Sequence, residues 1–299
     1  MKQESFATGA LFMTLSASAL AVTGLLGKIG IVEFSLTGLI FWRFFLGFLI
    51  CLPSFWLLGY LKEGIHVSNF KLHILRAAFG LGAQYCFYYY LQMNSLLNAL
   101  TLLNTGPIFI PIIEFAVLRK HVGKSSWIAV FISFIGVICL LQPDKGIFSL
   151  SSLIGLLSGV LQGSSQVLFG INAKTERAEL NVLVLFFLCF LLSLVPYLLV
   201  GPLWTLEPGL GLWPIGLIVA LGCASLFNQS WRANAYQHST PSRLAVFLYF
   251  AVLLAGFLDW LVFHRIPNTL SLLGALLVVL GGISKIYLRG RFTKKKSQE

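Results

Sequence analysis

The sequence predicts an all-α membrane protein of ten transmembrane helices, arranged as two inverted five-helix repeats with both termini cytoplasmic. Three observations lead there. Of 299 residues, 58% are hydrophobic and 10% charged, against roughly 45–50% apolar and 25% charged in a soluble domain. Apolar runs of about 17–25 residues, enough to cross about 30 Å of hydrocarbon as a helix, fill nearly the whole chain. The second half also repeats the first at an offset of 145 to 146 residues.

The first run, Phe6 to Gly27, follows Lys2 and contains Ala17-Ser18-Ala19, features that a secretory signal shares. Its length, the nine runs that follow and its repeat partner favour a span. The next four are Leu36 to Gly59, Phe70 to Leu91, Leu97 to Leu118 and Ser125 to Leu141. The second set is Ser151 to Asn172, Val182 to Val200, Leu212 to Ala233, Ser242 to Phe263 and Thr269 to Leu288. Pro53, Pro107, Pro111 and Pro196 remove backbone donors and bend their helices. The connections are too short for a soluble domain, so the function resides within the bilayer. The expected units are residues 1–145 and residues 146–299, the latter ending in the basic tail Arg289 to Lys296.

With the amino terminus inside, seventeen of the 21 Lys and Arg residues fall on the cytoplasmic side, including Arg76, Arg119, Lys120 and Arg232. Lys28, Lys145 and Arg265 fall outside, and Arg43 lies within a helix. The positive-inside rule then places both termini in the cytoplasm. The net charge of +11 is spread over short loops and the tail, which marks topology and contact with anionic lipid rather than nucleic acid.

The repeat aligns polar positions as well as helix ends. Ser18, Gly24 and Lys28 meet Ser164, Gly170 and Lys174; Gln84 and Gln92 meet Gln229 and Gln237; Glu114 meets Asp259; Gly136 meets Gly281. An odd number of crossings leaves the second copy upside down relative to the first. Inverted pairs give transporters their two openings, because exchanging the conformations of the halves turns an outward cavity inward.

Phe41-Trp42-Arg43-Phe44, the stretch from Tyr90-Leu91-Gln92 through Pro107-Ile108-Phe109, and the glycine-rich ends Ile135-Gly136-Val137 and Leu280-Gly281-Gly282 resemble the EamA-type transporters of the drug/metabolite transporter superfamily. The resemblance covers nearly the whole chain. It implies a ten-helix carrier of small organic solutes, among them amino acids, their derivatives, nucleotide-like metabolites and drugs, in a bacterial cytoplasmic membrane. Arg43-Phe44-Phe45 with His73-Ile74-Leu75-Arg76 is similar to the branch that holds S-adenosylmethionine carriers. Where the family often places acids at the ends of the fourth and ninth helices, this chain has Lys120 and Arg265. Glu114 and Asp259 stand six residues earlier, and the proline expected near Val252 is missing.

Charge in hydrocarbon is costly, so each intramembrane ionisable residue is a candidate functional group. Arg43 has no charged repeat counterpart, its equivalent falling near Leu188 or Cys189. It either anchors a substrate anion through its guanidinium fork or pairs with Asp259 as a helix clamp. Glu114 and Asp259 are candidates for opposite gates or for proton coupling, with interfacial solvation as the alternative. Gln84, Tyr88 and Gln92 share one helix face, as do Ser158, Gln162 and Gln166. Asn104 with Thr101 and Thr105, Asn228 with Trp231 and Arg232, and Tyr249 complete a candidate substrate-binding set. Such residues line a wet cavity or bond helix to helix; aromatic faces in a cavity suit a cationic or ring-bearing solute.

Other classes lack their signatures. Gly27-Lys28 and Gly123-Lys124-Ser125 lack the first glycine of a phosphate-binding loop. The five histidines are scattered, and the five cysteines, one per apolar segment, show no CxxC spacing. Expected partners are a small-molecule substrate and the lipid bilayer, with no cofactor, metal or nucleic acid, a proton as candidate coupling ion, and a monomeric or weakly dimeric state. The expected activity is secondary transport of an amino acid, an amino-acid derivative or an S-adenosylmethionine-like solute. A cationic-drug exporter is the alternative and an intramembrane enzyme a remoter one.

Overall fold

The computed structural model describes residues 6–57, 69–116, 150–173, 176–200, 212–239, 244–264 and 268–277, with a few isolated positions elsewhere. The described residues are helical and contain no strand. In chain order the helices are α1 (Phe6–Glu33), α2 (Leu36–Leu57), α3 (Phe70–Met93), α4 (Leu96–Leu103), α5 (Gly106–Ala116), α6 (Leu150–Asn172), α7 (Ala178–Val200) and α8 (Leu212–His238). A 3-10 segment, Ala245–Tyr249, then runs into α9 (Phe250–Phe263), and residues 269–277 form a further helix. Five helical stretches, Phe6–Glu33, Leu36–Pro53, Leu150–Asn172, Ala178–Val200 and Leu212–His238, are long and apolar enough to cross a membrane. Most of the expected fifth span, the end of the tenth and the basic tail lie outside the described residues.

Short polar residues start the helices where the sequence turns from loop to apolar run. The hydroxyl of Ser35 accepts the Gly38 N–H at 3.1 Å, the Asn69 side chain accepts that of Leu72 at 3.3 Å, and Ser95 accepts that of Asn98 at 3.1 Å. Each bond satisfies one of the amide groups that a first turn leaves open.

The fourth predicted span is not continuous. It breaks at Asn104 and Thr105 into α4 and α5, with three-residue bonds from the Thr105 N–H to the Leu102 carbonyl (3.1 Å) and from the Ile108 N–H to the Thr105 carbonyl (2.8 Å). Pro107 has no N–H to return to the carbonyl of Leu103, so the α-helical ladder cannot continue through it. The ninth span likewise opens as a 3-10 turn rather than as α-helix.

The principal packing partners are α1 with α8, α3 with α6, and α2 with α7; α1 also packs on α9, and α5 on α6. Large apolar side chains such as Leu11, Phe115, Leu253 and Phe257 point out of the bundle, as a lipid-facing surface requires. Together with the apolar spans these faces make the chain an integral membrane protein.

Gly155, Gly159 and Gly163 repeat every fourth residue along α6 and form a groove for the α4–α5 break. A Cβ on Gly159 would meet the Leu102 carbonyl at 2.5 Å and the Thr105 hydroxyl, and one on Gly163 would meet the Gly106 carbonyl at 2.7 Å. Backbone therefore lies directly on backbone, the contact that small residues permit between membrane helices. Gly163→Leu should destabilise the detergent-solubilised protein by about 1–3 kcal/mol through overpacking, read as a lowered melting temperature. Gly216→Leu, at a glycine with nothing within 4 Å, should leave it unchanged.

Candidate functional site

Three arginines converge inside the bundle. Arg43 comes from the first half of α2, Arg76 from the second turn of α3 and Arg232 from the last third of α8; their exposures are 3%, 1% and 1%. Together with Gln84, Gln162, Gln166, Gln229, Ser165, Cys189, Phe44 and Phe169 they line a partly open cavity. No carboxylate is among the described lining residues.

Arg43 is held by neutral partners from two other helices. Its Nε donates to the Ser225 hydroxyl, and one Nη donates to Gln84 Oε1 at 2.6 Å and to the Tyr88 hydroxyl at 3.0 Å. Gly27 makes room for that hydroxyl, because a Cβ there would collide with the Tyr88 ring. Arg76 donates to the carbonyl and side-chain oxygens of Asn181 at 3.3 and 3.1 Å and lies 3.5 Å above the centre of the Phe169 ring. Arg232 forms no hydrogen bond with any described residue, and its Nε is buried without a partner. Tyr236 donates to Gln166 Oε1 at 2.8 Å.

The buried carboxylates sit elsewhere. Asp259, 1% exposed, accepts from Lys28 at 3.1 Å and from the Leu97 N–H at 2.7 Å. This joins α1, α9 and the first turn of α4, where a negative charge also meets the positive end of the helix. Glu176 lies 2.8 Å from His73 Nε2, one turn before Arg76.

The expected pairing of Asp259 with Arg43 is thus replaced by Asp259 with Lys28. Lys28, read from the sequence as an outer-loop charge, lies within α1. Arg76, read as a cytoplasmic interface charge, is fully buried and lines the cavity; sequence reasoning missed it because it stands near a predicted helix end. Arg232, counted among the cytoplasmic charges but also placed beside Asn228 on one polar face, is equally buried and lines the cavity.

Of the candidate set, Arg43, Gln84, Gln162 and Gln166 line the cavity, and Tyr88 reaches it through Arg43. The others lie apart. Gln92 is exposed in the last turn of α3. Trp231 is half-buried and stacks on Phe227, which is 52% exposed. Asn104 caps α4 and donates to the Leu100 carbonyl at 2.9 Å. Asn228 clamps α8 to α1, donating to the Ser16 carbonyl at 2.7 Å while the Ser16 hydroxyl donates back to the Asn228 carbonyl at 2.9 Å. Tyr249 is buried in the 3-10 segment, away from the cavity lining. Glu114 falls in α5, and its side chain lies outside the described residues.

Ser165 donates to the Arg76 carbonyl at 3.0 Å, and Gly155 faces Tyr90, so α3 and α6 run antiparallel. The cavity occupies the middle of the bundle and the half towards the start of α1. The Lys28–Asp259 pair lies towards the opposite end of the bundle.

Apolar helices wrapped around a charged internal cavity define an integral membrane protein with a polar interior. Residues 7–142 match the EamA-like transporter family, and the chain carries a domain of that family, within the drug/metabolite transporter superfamily. It is 26% identical over 296 residues to a riboflavin transporter of Vibrio cholerae, covering 97% of this chain and 96% of that one. It is 24% identical to the pseudopaline exporter CntI of Pseudomonas aeruginosa, covering 75% and 78%. An S-adenosylmethionine uptake transporter of Rickettsia felis is 21% identical, covering 86% and 85%. A solved crystal structure, 16% identical, superposes with a TM-score of 0.64 over 97% of this chain and 99% of that one and shares the fold.

Lys28→Met should destabilise the protein by about 3–5 kcal/mol, because it leaves Asp259 buried without its cation. The double variant Lys28→Met with Asp259→Asn should recover part of that loss in the same thermal melt.

Proposed function

We propose that this chain is a secondary carrier, one that moves a small organic metabolite across a bacterial cytoplasmic membrane by alternating access. One observation carries the reading: a polar cavity at mid-bundle is built from both halves of the chain. Arg43, Arg76 and Gln84 come from the first half; Gln162, Gln166, Gln229 and Arg232 come from the second. Moving one half against the other would open such a cavity at alternate ends.

The packing supports two inverted five-helix units divided near residue 145. Contact of α1 with α8 is the repeat equivalent of contact of α6 with α3, and α2 with α7 is its own equivalent. Gln84 and its repeat counterpart Gln229 line the same cavity, as do Arg43 and Cys189. With both termini cytoplasmic, the end that holds Lys28 and Asp259 is the outer one and the cavity lies towards the cytoplasm.

The named activities of the relatives make riboflavin, S-adenosylmethionine and amino-acid derivatives the first solutes to offer. An exporter of cationic drugs fits less well. The Phe169 face in the cavity is already covered by Arg76, and Arg43 lies 5.3 Å from the Phe44 ring centre, so these aromatic faces already serve internal cations. Asp259 and Glu114 belong at the two gates, with a proton as the candidate coupling ion.

Purified protein in liposomes should exchange at least one of riboflavin, S-adenosylmethionine or an amino acid for its labelled form. Movement of none of these, nor of a cationic drug or a small organic dianion, overturns the reading. Arg43→Gln should lower the exchange rate about tenfold or more, since a charged hydrogen-bond partner contributes about 1.5–3 kcal/mol. Asp259→Asn, assayed with and without a pH gradient, should reduce exchange in both conditions if the residue is a gate. Loss of only the gradient-driven component would identify it as the coupling site.

A further inference from the structure

We propose that the cavity binds a small organic dianion, a solute with two oxyanion charges on a polar body, such as a dicarboxylate or a phosphate monoester. The inference rests on the carrier reading and gives it a substrate class.

The three guanidiniums present far more N–H groups than the described residues accept. Arg43 makes three hydrogen bonds and Arg76 two, all to neutral groups, while Arg232 makes none with described residues. One Nη of Arg43 therefore has both hydrogens unused. A buried cation in a membrane requires an opposite charge or a full set of acceptors, and the described cavity lining supplies no carboxylate. The two buried carboxylates described, Asp259 and Glu176, are engaged with Lys28 and His73.

The glutamines point the same way. Arg43 engages the carbonyl oxygen of Gln84, and Tyr236 engages that of Gln166. What these two side chains still offer is the amide N–H₂, a donor. A cavity carrying three positive charges and open donors selects a ligand rich in acceptors and negative charge, and guanidinium forks match carboxylate and phosphate oxygens in particular. Glu176 is close enough to act on Arg76, so a single negative charge would still leave either Arg43 or Arg232 with neutral partners alone; a dianion brings one charge to each.

The test uses the full chain in detergent and pairs of solutes that share a body and differ in charge: glycerol and glycerol 3-phosphate, malamide and malate, riboflavin and riboflavin 5′-phosphate. In at least one pair the charged member should bind about tenfold or more tightly, as a charge-assisted contact implies. Arg232→Gln should weaken that binding by a similar factor, and Arg232→Lys should restore part of it. Since Arg232 holds no described residue in place, Arg232→Gln should leave the ligand-free melting temperature unchanged or raise it by about 2–4 °C. Arg43→Gln is the less informative variant because Arg43 ties three helices together.

The inference is overturned if the neutral member binds as well in all three pairs, if no charged member binds, or if Arg232→Gln lowers the ligand-free melting temperature without changing affinity. A dianion that binds but is not exchanged across liposomes overturns the carrier reading alone. Exchange of riboflavin that neither glycerol 3-phosphate nor malate inhibits, with riboflavin 5′-phosphate bound no better, overturns the dianion alone.

Discussion

Hydrocarbon offers no partner to a charge, and each buried ionic group in this protein is arranged under that constraint. Asp259 has Lys28 and a backbone amide; Glu176 has His73; Arg43 and Arg76 have neutral oxygens and ring faces. Arg232 is the exception, buried with an unpartnered Nε beside a cavity. Under the dianion proposal, that missing partner is a solute. In this protein, the distribution of satisfied and unsatisfied charge separates structure from function.

The close approach that brings these groups together depends on residues without side chains. Gly155, Gly159 and Gly163 let the broken fourth span rest on α6, and Gly27 admits the hydroxyl that holds Arg43. Helices that meet at backbone distance leave little freedom to the long polar side chains reaching inward. The guanidinium of Arg43 is accordingly fixed from α3 and α8 at once.

Hydropathy made the membrane character and most helix positions readable, because burial in lipid acts on every residue of a span. Arg43, Gln84, Gln162 and Gln166 were readable for the same reason: a polar residue deep in an apolar run must face inward. Position along the chain says less near helix ends. Arg76 and Arg232 stand where a charge could equally reach headgroups, and only the packing of α3 and α8 against α6 and α7 turns them inward. Lys28 was misplaced for the converse reason, since α1 continues to Glu33, beyond the apolar run that predicted it. Gln92 and Trp231 share a helix with cavity residues and still miss the cavity: one lies past the buried turns, and the other faces away with Phe227. The break at Asn104 reflects Gly106 and Pro107 acting together against a glycine groove more than fifty residues away in the chain, which no local pattern records.

Asp259 binds Lys28 with one oxygen and the first turn of α4 with the other. If α1 moved away alone, the carboxylate would lose its cation; if α4 moved away alone, the amide of Leu97 would lose its acceptor and the helix end its counter-charge. Neither partial separation is favourable in a dry interior, so the two contacts must break together. Separation at that end of the bundle is therefore all-or-none rather than graded.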